Sequence, residues 1–139
     1  FVQNDFTAIE QKKETLEHRD YVQEMQVETA KDGYQFTFVI ADIAGYEGEN
    51  SINQTLYHVQ AENLEMAAAL YQRENERQLD FGHMKQIAAD MTGQEIHPLL
   101  LELGHRSGIS KSIPVMMETD GAKYILREMI KAAYGRESL

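Results

Sequence analysis

The residues most able to do chemistry lie in "QLDFGHMKQIAADM", from Gln78 to Met91, where Asp80, Gly82, His83 and Lys85 interrupt an apolar run. An imidazole titrates near neutral pH and can move a proton or hold a metal. As a general base it needs a partner within hydrogen-bond reach, and Asp80 is the sole local carboxylate. The five histidines are His18, His58, His83, His97 and His105. No two have the i, i+4 spacing of a helical metal site, and Pro98 and Gly104 separate His97 from His105. There is no G-x-S-x-G elbow, Walker loop or G-x-G-x-x-G. Glu47, Glu49, Glu62 and Glu65 fall where solvated charges fall. No catalytic residue, metal ligand or cofactor is assigned.

Scaffold is therefore the first reading of the segment. A glycine in a strand admits a close neighbour, and a buried histidine survives by hydrogen bonding, since an unpaired buried polar group costs roughly 1–3 kcal/mol. Lys85 can lay its stem on apolar neighbours and extend its ammonium outward. The second reading makes His83 and Lys85 a partner-contact surface. Tyr46, in the loop "AGYEGENS", is a third candidate contact. Met116 and Met117 point to opposite faces of a strand, which favours packing over an adaptable groove.

The elements that must position these residues follow from periodicity. Residues 1–19, "FVQNDFTAIEQKKETLEHR", are polar and form a lead-in; 20–136 form a single α+β domain. In "DYVQEMQVETA" Tyr21, Met25 and Val27 share one face, and Val22, Glu24, Gln26 and Glu28 the other. Asp32-Gly33 signals a hairpin, because both tolerate positive φ. Tyr34, Phe36, Phe38 and Ile40 line one face of the next strand, and "NQTLYHVQA" is a third. The period then changes. Asn63 caps a helix with Leu64, Ala67, Ala68 and Tyr71 inward. "LDFGHMKQIAA" reads as one buried strand, followed by a capping-box pair, Thr92 and Glu95, and a short helix over Pro98–Gly104. "SIPVMMET" is a fifth strand, placed at an edge by Pro114. Asp120 caps a last helix striped by Ala122, Ile125, Met129 and Ala133, with Gly135 as its stop. The expected fold is α+β: a mixed sheet of about five strands, an antiparallel meander followed by β-α units, with about three helices packed on it.

Bulk properties narrow the partners. A chain of 139 residues suits one domain. Its net charge of −10 argues against nucleic acid and against docking on an anionic membrane. The absence of cysteine excludes disulfides, thiolate nucleophiles and zinc–thiolate sites. No apolar run approaches the ~20 residues that span a bilayer. The start at Phe1 points to a trimmed or processed chain, with any anchor expected upstream.

Taken in order, "HRDYVQEMQVETAKDGYQFTFVIAD", "ENLEMAAAL", the Phe81-Gly82-His83-Met84-Lys85-x-Ile87 pattern and "SIPVMMETDGAKYIL" resemble the N-terminal domain of the Ger(x)C spore germination proteins, the C subunits of nutrient germinant receptors. The resemblance covers about residues 18–134. The family's "GID" in the first strand is "QVE" here. Family members are longer lipoproteins with a lipidated cysteine near the N-terminus and further domains, so the resemblance implies one domain of a larger protein. It implies a non-enzymatic component on the outer face of the bacterial (spore inner) membrane, tethered upstream and in contact with the receptor's membrane-protein subunits. An unrelated solute-binding or extracytoplasmic interaction module, and a small enzyme whose site forms only in the fold, are the alternatives.

Overall fold

A computed structural model describes residues 18–42 and 53–135. The strands are β1 (Arg19–Ala30), β2 (Gly33–Asp42), β3 (Asn53–Ala61), β4 (Gln78–Asp80), β5 (Gln86–Asp90), β6 (Pro114–Met117) and β7 (Ala122–Ile125). The helices are α1 (Leu64–Asn75), α2 (His97–His105) and α3 (Leu126–Tyr134). The α+β expectation holds, with seven strands in one mixed, open sheet of order β3-β2-β1-β5-β6-β7 and β4 also paired to β1.

The meander forms as its alternation dictates. Tyr34, Phe36, Phe38 and Ile40 are buried on one face of β2. The β1–β2 turn uses Asp32 at φ 62° and Gly33 at φ 150°. Gly33 is needed twice over, because a Cβ there would sit 2.5 Å from the Ala61 carbonyl oxygen. In β1 the buried residues are Val22, Met25 and Val27. Tyr21 was expected beside Met25, but the ladder with β2 shifts between Val22 and Glu24. That bulge puts one extra residue into the strand and turns Val22 inward and Tyr21 to the other face.

The helices share one core with the sheet: Leu64, Ala67 and Tyr71 of α1, Leu99, Leu100 and Leu103 of α2, and Leu126 and Ile130 of α3 meet Phe36, Phe38, Ile87 and Val115. Asn63 caps α1, its Oδ1 accepting from the Met66 N–H at 2.8 Å. Thr92 and Glu95 make both capping-box bonds, at 2.9 and 3.1 Å, and α2 begins two residues later with Pro98 in its first turn. Further along α2, Glu102 accepts from the N–H groups of Leu64 and Glu65, each at 2.8 Å. One carboxylate thus satisfies two of the unpaired donors at the start of α1 and ties the two helices together.

Two expectations are overturned near the C-terminus. Pro114 does not mark an edge, since β6 lies between β5 and β7. It is tolerated as the first residue of the strand, where its missing N–H costs no ladder bond. "GAKYI" does not begin the last helix either. Asp120 accepts from the Ala122 N–H at 3.0 Å and the Tyr124 hydroxyl at 2.8 Å, closing a turn from which β7 runs back along β6. α3 therefore starts at Leu126, and its inward stripe is Leu126 and Ile130, while Ile125 is 44% exposed. Gly135 does terminate the helix, at φ 80°.

Candidate functional site

The Gly-His segment is not one strand. β4 and β5 both run parallel to β1, Arg19–Tyr21 facing Gln78–Asp80 and Glu24–Glu28 facing Gln86–Asp90. Between them the chain leaves the sheet at the level of the β1 bulge. The Met84 N–H reaches back to the Phe81 carbonyl at 3.2 Å, and the Lys85 N–H rejoins β1 at the Gln23 carbonyl at 2.8 Å. Phe81 and Met84 are buried, whereas Gly82, His83 and Lys85 are exposed. The expectation of a buried histidine inside a strand is thereby corrected: a turn spends two apolar side chains as anchors and sends its polar ones out. The physical reason is the bulge, since parallel pairing cannot continue past a partner strand that changes face.

The anchoring is specific. The Phe81 ring meets Phe38 edge-on at 5.7 Å between centroids, and the Arg106 guanidinium lies 5.1 Å from its centroid. Asp80 accepts from the Gly82 N–H at 2.8 Å and from Arg19 at 3.1 Å. His83 packs its ring against Tyr21 at 5.8 Å, tilted by 53°. Tyr21 lies on the face of the sheet that the three described helices leave open, because its neighbour Val22 faces the core. His83 and Lys85 are thus brought together on one surface turn, and Tyr46 lies outside the described residues.

On the helix side of the same pairing, Asp20 joins Arg77 at 2.5 Å and accepts the Tyr71 hydroxyl. Burial, and then the hydrogen bond to Asp20, push the Tyr71 phenol well above its ordinary range. Tyr57, nearby on β3, is pushed up to about 12 by burial and by its bond to Glu74. Both tyrosines are neutral hydrogen-bond donors at neutral pH. Sequence reading missed this cluster, because Asp20 is 51 residues from Tyr71 and 57 from Arg77. No local spacing announces such a pair.

The other histidines are scattered. Thr37 and His58 pair across β2 and β3 at 2.9 Å. His105 donates from Nδ1 to the Leu101 carbonyl at 3.0 Å. His97 lies against the Tyr134 ring. Among the described residues no three His, Asp or Glu side chains could hold a metal ion. A cleft of about 300 Å³ lies between α2 and α3, with Ile96, Leu100 and Met129 in its wall and His97, Asp120 and Glu128 among its polar groups. A second, of about 490 Å³, lies beside Glu62, Leu101 and Glu102. Neither is lined by His83 or Lys85. The arrangement around His83 can present side chains to a partner; among the described residues its ring meets Tyr21, and Asp80 is bound to Arg19.

No helix among the described residues is long and apolar enough to cross a membrane. Searches of the curated proteins and of the solved structures returned no match. A family model described as "Spore germination protein N-terminal domain" matches residues 12–131. The match spans all seven strands and most of α3, and it takes in the anchored turn that carries His83. The chain belongs to the spore germination protein N-terminal domain family.

Proposed function

We propose that this domain is a non-enzymatic, extracytoplasmic part of a nutrient germinant receptor, working by contact with the receptor's membrane-protein subunits. Membership in the germination family supports a receptor C-subunit role in general terms. A lipidated cysteine upstream and further domains downstream complete the proposal; the first would hold the domain at the outer face of the spore inner membrane. Contact, assembly and relay of a conformational change are its work here, and a reaction is not.

The observation that carries this reading is the turn from Phe81 to Lys85. Two buried side chains and a ring contact fix it, yet the residues it fixes point to solvent. An exposed group held by a rigid support loses little entropy on binding, which favours recognition. His83 and Lys85 are the proposed contact residues, with Tyr46 a further one. The test is germination of spores carrying the full-length protein with His83→Ala and Lys85→Glu together. The reading expects normal protein levels and a slowed response to nutrient. An unchanged response at normal levels would remove the turn from the contact surface.

The cleft between α2 and α3 supports a second reading, a solute-binding module. Its apolar wall and carboxylate rim resemble a small-molecule site in miniature. A thermal-shift screen with amino acids and sugars tests it, since a ligand of the folded state raises the melting temperature.

A further inference from the structure

We propose that β3 is a docking edge for a second copy of this chain, joining two sheets through antiparallel β3–β3 pairing about a twofold axis at Tyr57. The inference stands independently of the receptor role.

β3 ends the sheet on one side. Nine consecutive residue pairs bind it to β2 without a register shift. Its outer edge therefore runs without a bulge for about 30 Å, and nothing among the described residues pairs with it. Natural sheets guard such edges with charge, proline, bulges or shortness. "NQTLYHVQA" has no Lys, Arg, Asp, Glu, Pro or Gly. The opposite edge is guarded: β7 has four residues, Lys123 among them. Leu56, on β3, is 57% exposed, the most exposed large apolar side chain among the described residues.

The occupant follows from what β3 offers to itself. With the axis at Tyr57, Gln54 faces Gln60 of the second copy and Leu56 faces His58, on the side away from the described helices. Thr55 faces Val59, and Tyr57 meets its equivalent, on the helix side. Amide meets amide, a β-branched residue meets its like, and the exposed leucine gains cover. No like charges oppose each other on the strand, although each chain carries −10. Glu74, bonded to Tyr57 at 2.8 Å, is the acidic group that approaches from both copies. A single-strand strip is small beside the roughly 1,200–2,000 Å² of a stable interface. The dimer is thus weak, concentration-dependent and strengthened by screening salt.

Sedimentation velocity of the whole chain from about 10 µM to about 1 mM tests this, with amide chemical shifts of the wild type followed over the same range. The expected result is a reversible dimer with shifts concentrated on β3. Gln54 and Gln60 are exposed, and each donates one bond within the chain, to the Gln23 side chain and to the Lys31 carbonyl; the unfolding midpoint checks that the charged variants keep the fold. Gln54→Glu with Gln60→Glu places acid against acid twice and should weaken the dimer about tenfold. Gln54→Lys with Gln60→Glu places opposite charges across the axis and should tighten it at low salt. A monomer throughout the range overturns the proposal. So does a dimer whose wild-type shifts fall away from β3, or one indifferent to both charge pairs.

Discussion

At the scale of single residues, two carboxylates satisfy backbone donors at helix starts. Glu102 accepts from two backbone donors at the start of α1. Removing it leaves both donors without their charged acceptor, and Glu102→Ala should cost about 1–2 kcal/mol in urea unfolding. Glu95 offers a pH signature. Its carboxyl is held below its ordinary value of 4.5 by the Thr92 N–H and then the Thr92 hydroxyl. A depressed folded value means the contribution is complete above 4.5 and is lost as pH falls through the lower folded value. The stability advantage of the wild type over Glu95→Gln should therefore be constant near neutrality and shrink in acid. An advantage that grew in acid would reverse the sign of this argument.

At the scale of elements, β7 and the turn between β4 and β5 are the informative cases. The helical reading of "GAKYIL" gave Ile125 a core position, whereas β7 leaves it exposed and α3 buries Ile130. Ile125→Lys should then change stability by less than about 1 kcal/mol, while Ile130→Ala should cost about 2–4 kcal/mol. Guanidinium unfolding of both variants separates the two readings, because comparable losses would restore the helix. Similarly, Phe81→Ala should cost about 3–5 kcal/mol and His83→Ala less than about 1, by the same measurement.

These elements also show how far sequence periodicity reaches. The β1–β2 hairpin, the inward face of β2 and the Asn63 cap were legible, because each follows from local alternation or a local hydrogen bond. The β1 bulge was not, since a single inserted residue leaves both faces plausible by composition. Missing the bulge hid the break after Asp80, and so an exposed turn read as a buried strand. Asp120 misled because an aspartate closes a turn with the same backbone bonds it uses to cap a helix. His83 and Lys85 were legible as candidates, but their exposure depended on a contact with β1, some 60 residues earlier.

At the scale of the molecule, one face of the sheet is covered by three helices and the other carries Glu24, Gln26, Thr37, His58 and Gln86 to the surface. The proposed contact residues His83 and Lys85 lie towards the end where β1 begins, beside Tyr21 on the face that none of the three described helices covers. The chain's net charge of −10 disfavours non-specific adhesion to anionic surfaces. The most direct test places a photo-crosslinking amino acid at position 83 of the full-length protein in spores, with a control at the exposed Arg73 of α1. The account predicts covalent capture of a receptor membrane subunit from position 83 and none from position 73. Capture from 73 alone, or from neither in fully folded protein, would contradict it.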